Sequence, residues 1–316
     1  MQEYKEHKEC KDCKDRIESQ YPGAADRLLV DESMAGHSSF RVGGPADLVF
    51  LPISSGEIVF AIQTAKSLGI PFIVLGNGTN ILVSDKGIRG LVILIGENFS
   101  RVCREENGDL AADSGALLSS VAKFAARESL TGMEFAAGIP GSIGGAVYMN
   151  AGAYDGCMAD IVIASQGYDP EKEEIFLLET QAAHHFAYRQ SYYEESGSIV
   201  LRTWIRLLDG NKEDIEQRMA EFSTKRKNSQ PLEFPSAGST FKRPKGHYAG
   251  RLIEDAGLKG CRVGGACVST KHAGFVINDR KATAKDILEL IHVVEDKVYK
   301  ECGVRIEPEV RIVGEW

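Results

Sequence analysis

GIPGSIGGAVYMNAGAYDG (residues 138–156) carries glycine at six of its nineteen positions. A glycine cluster can be no more than an awkward turn, because glycine alone enters left-handed backbone without cost. Two features oppose that reading. Ile139, Ile143, Val147, Tyr148 and Met149 alternate with the glycines, so the stretch is apolar and partly buried rather than a solvated loop. A buried backbone stripped of side chains must also find acceptors for its N–H groups, and a phosphate suits a cluster of them.

A second small-residue loop, VLGNGTNILVSD (74–85), follows a short apolar strand. It is not a dinucleotide fingerprint: Gly76 and Gly78 supply the first two glycines, but Ile81 stands where the third is required. No phosphate-binding P-loop spacing occurs either. Two separate backbone cradles suit a ligand with two phosphates and a long body, and FAD has that shape.

The rest of the chain sets bounds on this reading. It has 316 residues, 43% of them hydrophobic and 26% charged, with a net charge of −8. The acidic balance disfavours a general nucleic-acid binder, leaving only local basic clusters at Lys225-Arg226-Lys227 and Lys242-Arg243. No apolar run approaches the ~18 residues of a membrane span. The N-terminal MQEYKEHKECKDCKDRIESQ has no apolar centre, so it reads as a solvated helical extension and not as a secretory signal. Seven scattered cysteines suit a reducing cytoplasm. Cys10 and Cys13, with His7 nearby, form an isolated C-x-x-C with no second pair, so no metal site is expected.

Periodicity predicts a helix from Ser54, with Ser54 and Glu57 at capping-box spacing, stopped by Gly69 and Pro71. Strands follow at 72–75 and 91–96. Asn107-Gly108 marks a hairpin, residues 117–130 a helix, and Asp169-Pro170 another turn. Further helices are expected at 212–228 and 283–302, the second ended by Gly303, and then a strand over VRIEPEVRIVG (304–314). The mixture is α+β.

The order SSFRVGGPAD, LGNGTNILVSD, GIPGSIGGAVYMNAGAYDG, YRQSYY, PSAGSTFKRP, AGRLIEDAGLKGCRVGGACVSTKHAGFVIN and EPEVRIVG closely resembles the UDP-N-acetylenolpyruvoylglucosamine reductases, from His37 to Gly314. The resemblance implies a two-subdomain FAD-binding region of the vanillyl-alcohol-oxidase (PCMH) type plus a C-terminal α+β substrate-binding domain. The blocks would be 1–30 (extension), 31–97 and 98–210 (the two FAD-binding subdomains) and 211–316 (substrate-binding). It implies non-covalent FAD, NADPH as reductant, and reduction of the enolpyruvyl group of UDP-N-acetylglucosamine enolpyruvate for peptidoglycan synthesis in the cytoplasm. The segment after Arg189 is short, as in the subgroup without a tyrosine lid.

Residue by residue, the resemblance implies that Arg189 is the catalytic arginine, Ser239 the proton donor and Glu309 the third catalytic residue. An arginine fork can grip a carboxylate with two parallel bonds, and Phe186, Ala187, Tyr188 and Tyr192 around it suggest an apolar setting. Glu307 competes with Glu309 by proximity, but the family motif ends in PEV. Flavin contacts are expected from Arg41, from Gly76, Asn77, Gly78, Thr79, Asn80 and Ile81, from Gly138, Ile139, Pro140, Gly141, Ser142 and Gly144, from Asn150 and Ala151, and from Arg226. Many members read FKNP where this chain has Phe241-Lys242-Arg243-Pro244. Two other readings are a sugar or alcohol oxidase on the same flavin fold, and a non-catalytic nucleotide binder. His37 and Cys157, near flavin motifs, read as structural rather than as covalent flavin attachments.

Overall fold

The computed structural model describes residues 2–316, with side chains from residue 8 onward; the His7 side chain weighed above lies outside the described residues. The chain divides into two compact units. One gathers Met1–Leu29, Leu48–Asn77 and Gly90–Lys225, the other Val30–Asp47, Gly78–Arg89 and Arg226–Trp316. Consecutive blocks along the sequence cannot register such interleaving.

In the first unit, helix Ser55–Leu68 begins at Ser54, whose hydroxyl accepts from the Glu57 amide at 3.2 Å, and ends at Gly69 with φ 68°. Only half of the anticipated capping box forms. The Glu57 carboxylate instead takes both arms of Arg27, at 2.7 and 2.8 Å, and the amide of Ile53. Strands Phe72–Leu75 and Ile88–Leu94 pair in parallel, Phe72 opposite Leu91 and Leu75 opposite Leu94. That pairing delivers the chain directly into the 76–80 loop.

The unit also contains a five-stranded antiparallel sheet, in the order Glu174–Leu178, Val162–Asp169, Ile199–Ile205, Leu110–Asp113 and Val102–Arg104. The last two are the expected hairpin, with Gly108 at φ 91°. Helix Leu118–Arg127 packs Leu118, Val121, Ala122 and Ala125 into a core with Met133, Phe135, Ile143 and Val147. This core fixes residues 138–148.

The N-terminal segment is helical over Gln2–Gln20, as expected, but it is not wholly solvated. Cys10, Cys13 and Ile17 are buried in a core with Ala24, Leu28, Ile58, Ala61 and Ile62. Spacings of three and four put them on one helical stripe. Charged neighbours mask that stripe, because a free cysteine behaves as a small apolar residue. Burial pushes the Cys13 thiol up to about 12, which leaves it without reactive thiolate at neutral pH.

In the second unit, helix Ala284–Cys302 starts with a reciprocal capping box between Thr283 and Asp286 and ends at Gly303 in left-handed backbone. Its stripe of Ile287, Leu290, Ile291, Val294 and Val298 is buried against Val268, Val276 and Ile253. Strands Arg262–Val263, Ala266–Val268 and Val276–Asn278 make a small antiparallel sheet. The strand anticipated over 304–314 is confined to Arg311–Val313, which pairs in parallel with Ile81–Val83. Pro308 interrupts it, since proline has no N–H to give a ladder. Among the described residues, no helix is long and apolar enough to cross a membrane.

Candidate active site

The first unit brings the start of one small-residue loop against the other. Asn77 Nδ2 donates to the carbonyl of Pro140 at 2.6 Å. A Cβ at Gly76 would lie 2.5 Å from Ser142 Oγ, so a side chain there would force the loops apart. The carbonyl of Gly141 accepts from the amide of Leu118 at 3.0 Å, while the amides of Ile143 and Gly144 go to Ala116 and Ser114 at 2.8 Å each. Among the described residues, the amides of Gly141 and Ser142 donate to no protein acceptor. Adjacent donors beside a side-chain-free approach are what a pyrophosphate needs, so the residues present fit FAD.

Other members of the expected contact set already have protein partners for their amides. Ile139 donates to Ala136, Asn150 to Val147 and Ala151 to Ala146. Gly144 is glycine for packing: a Cβ would come within 2.8 Å of Ser114 Cβ.

The second unit holds Arg41, Gly78, Thr79, Asn80, Ile81, Arg226, Ser239 and Glu309. Gly78 has φ 61°, and a Cβ on it would sit 1.9 Å from the His37 carbonyl. Its own carbonyl accepts from the Ser39 amide at 3.0 Å, which ties the loop to the segment bearing Arg41. Asn80 Nδ2 donates to the Glu309 carbonyl at 3.1 Å, and its carbonyl accepts from Arg311 N at 3.0 Å. Asn80 therefore braces the strand entry beside Glu309. Ile81 is buried in the strand it starts. Arg226 is half-buried in the last turn of helix Lys212–Ser229.

Ser239 and Glu309 lie on neighbouring extended segments. Phe241 bridges antiparallel to Pro308, Glu309 N donates to Thr240 O at 2.8 Å, and Lys242 N donates to Glu307 O at 2.9 Å. Ser239 is exposed, whereas the adjacent Thr240 is buried and its hydroxyl accepts from Val276 N at 3.0 Å. Glu307 is 74% exposed in its side chain and faces Lys242 at 3.6 Å, whereas Glu309 is half-buried. Of the two carboxylates, Glu309 has the more protected setting.

Arg189 belongs to the first unit, at the tip of a tight turn. Its guanidinium lies 5.0 Å from the centroid of the Tyr188 ring. The anticipated apolar setting is found only in part: Phe186 packs against the core and Tyr192 is half-buried, but Tyr188 is 55% exposed and Ala187 is exposed. The aromatic residues of YRQSYY divide between the surface and an anchor, since Tyr193 is buried and Tyr188 is not. Arg41, Asn150 and Arg189 have φ of 56°, 43° and 58°, three of ten non-glycine residues in left-handed backbone among the described residues.

Two histidines are held neutral. Burial lowers His184 and His272 below the ordinary imidazole value of 6.5. Below pH 6.5 the unfolded chain takes up protons at these positions before the folded chain does. Their contribution to stability is thus complete above 6.5 and shrinks as pH falls towards the lowered folded values. Thermal unfolding midpoints should decline on the acid side of 6.5, and His184→Gln should flatten part of that decline. An identical slope in the variant would refute the assignment to His184.

Neither residue considered for covalent flavin attachment is poised for it. His37 Nε2 pairs with Glu32 at 2.9 Å. Burial, with Asp160 beside it, pushes the Cys157 thiol up, and Cys157 caps helix Met158–Ile161.

A family model described as "UDP-N-acetylenolpyruvoylglucosamine reductase, C-terminal domain" matches residues 230–313, and one described as "FAD binding domain" matches residues 46–171. The chain is similar to a UDP-N-acetylenolpyruvoylglucosamine reductase of Clostridium beijerinckii, 49% identical over 289 residues, covering 92% of this chain and 94% of the relative. One of Caldanaerobacter subterraneus subsp. tengcongensis is 48% identical with the same coverage. Among solved structures, the UDP-N-acetylenolpyruvylglucosamine reductase of Thermus caldophilus is similar, with 36% identity and a TM-score of 0.75, covering 90% of this chain and 97% of that one.

Proposed function

The chain belongs to the UDP-N-acetylenolpyruvoylglucosamine reductase family, and we propose that it reduces the enolpyruvyl double bond of UDP-N-acetylglucosamine enolpyruvate to give UDP-N-acetylmuramate, with NADPH as reductant. One observation carries this reading: 49% identity to a relative of that name over 92% of the chain. FAD, when bound, supplies hydride chemistry between NADPH and the substrate carbon.

The amides of Gly141 and Ser142, with the side-chain-free approach at Gly76, would hold its phosphate region. Arg189 binds the substrate carboxylate through its planar fork and stabilises the negative charge that hydride addition pushes onto that group. Ser239 gives its hydroxyl proton to the adjacent carbon, which requires hydrogen-bond reach of that carbon. Glu309 orients the developing enol and limits its alternatives. Lysine at 189 would supply charge without the fork. The seven free cysteines support a reducing, cytoplasmic setting, and the acidic net charge supports small-molecule substrates rather than nucleic acid.

The test is direct. Purified protein mixed with NADPH and UDP-N-acetylglucosamine enolpyruvate should lose nicotinamide absorbance, and omission of the enolpyruvate should stop the loss. Acid precipitation should leave the yellow colour in the supernatant. No substrate-dependent loss of absorbance would overturn the assignment, and a yellow pellet would overturn non-covalent binding.

A further inference from the structure

Tyr188 and Arg189 are the two central residues of a turn closed in both directions: Ala187 N donates to Gln190 O, and Gln190 N to Ala187 O, at 3.2 Å each. Arg189 at φ 58° and His185 at φ 49° hold backbone conformations that a side chain disfavours. Local sequence therefore does not favour this turn, and three anchors in the same unit restrain it.

One anchor is a buried chain. His184 Nδ1 lies 2.9 Å from the Thr180 carbonyl, so that nitrogen carries the proton and Nε2 is the acceptor. Ser165 Oγ then donates to His184 Nε2 and accepts from Tyr193 OH, at 2.7 Å each. All three side chains are buried, and the chain is satisfied at each link, which rigidifies it. It grips the segment five residues before Arg189 and four after it. In a second anchor, Ser191 Oγ donates to the Tyr148 carbonyl at 2.8 Å.

The third anchor is Asn150. Its Nδ2 donates to the Ala187 carbonyl at 2.9 Å, and its Oδ1 accepts from Ala159 N at 2.9 Å. The side chain is 8% exposed, so both ends of the carboxamide are used inside the protein. Asparagine also tolerates the left-handed backbone found there better than most residues do. We infer that Asn150 is a positioning residue for Arg189, clamping the turn that presents the guanidinium, and not a flavin contact. The inference rests on the reading of Arg189 as the group that binds the substrate carboxylate.

Three variants of the holoenzyme test it. Asn150→Gly keeps the backbone conformation and removes both hydrogen bonds. Asn150→Asp keeps the acceptor for Ala159 N but turns an acceptor towards the Ala187 carbonyl. Arg189→Ala sets the reference. Both Asn150 variants should purify with the wild-type flavin content and visible spectrum, and flavin reduction by NADPH should be unchanged. Turnover of the enolpyruvyl substrate should fall about 10²-fold, the scale of a catalytic group displaced by about an ångström. The double variant Asn150→Gly/Arg189→Ala should be no slower than Arg189→Ala alone. Amide exchange at Gln190 should quicken in both Asn150 variants. Loss of flavin, a shifted flavin spectrum, or losses that multiply in the double variant would overturn the proposal, as would unchanged exchange at Gln190. If Arg189→Ala alone turns over normally while Gln190 exchange quickens in Asn150→Gly, the catalytic reading of Arg189 falls and with it the proposed positioning role. The clamp itself would then stand as structure only.

Discussion

Ser239→Ala should purify as a yellow protein whose flavin is reduced by NADPH at the normal rate, and its turnover of the enolpyruvyl substrate should fall about 10²–10⁴-fold, the usual worth of a positioned proton donor. The expectation rests on the contrast between two adjacent residues. Ser239 is exposed, and a Cβ on Gly274 would lie 3.4 Å from its Oγ, so the hydroxyl stands above a glycine-lined floor. Thr240 is buried, donates its amide to Gly274 O at 2.8 Å and accepts from Val276 N. Removing the Ser239 hydroxyl takes away a reactive group and little of the fold. Removing the Thr240 hydroxyl leaves a buried N–H unpaired, at a cost of about 1–3 kcal/mol. Thr240→Ala should therefore lower the melting temperature, whereas Ser239→Ala should leave it unchanged. Steady-state turnover, pre-steady-state flavin reduction and thermal unfolding separate the two. Ser239→Ala with more than a tenth of wild-type turnover would refute the proton-donor role.

Gly78→Ala, a single added methyl group, is expected to destabilise the protein by about 3–4 kcal/mol and to release much of its flavin. Two costs coincide at this position. The backbone is left-handed, which costs an alanine about 1–2 kcal/mol. The new Cβ would also sit 1.9 Å from the His37 carbonyl oxygen and 2.9 Å from its carbon. That neighbour is backbone and has no rotamer through which to move away. Displacing it breaks the bond from Ser39 N to Gly78 O and shifts the segment carrying Arg41. Gly69→Ala is the internal control: φ is 68°, but nothing lies within 4 Å of the added carbon, so only the conformational cost of about 1–2 kcal/mol applies. Denaturant unfolding of both variants, with flavin content per protein, provides the measurement. Equal destabilisation at the two sites would show that the close approach at Gly78 has no energetic weight.

The glycine loops were legible in the sequence because their requirement is local. A position that must be left-handed, as at Gly78, or lack a side chain, as at Gly76, has one good solution among the amino acids, and the spacing of those solutions survives in the linear order. Helix ends were legible for the same reason: Ser54, Gly69, Thr283 and Gly303 act within one turn of themselves. The α+β class followed from these local signals, and the family followed from their order along the chain.

The sequence did not disclose which polar side chains serve the protein and which remain available to a ligand. Asn80 and Asn150 stand in motifs that read as cofactor contacts, yet their carboxamides reach Glu309 and Ala187, 229 and 37 residues away. A hydrogen bond between distant residues has no sequence period, so only folding reveals it. The same holds for the buried Cys10, Cys13 and Ile17 stripe, whose partners come from helix Ser55–Leu68, and for Tyr188, whose exposure contradicts the apolar company it keeps in the sequence. What the sequence determined by itself was the set of backbone conformations that glycine, proline and capping residues permit. The tertiary structure decided which donors and acceptors are satisfied internally, because that depends on which distant segments the buried cores draw together.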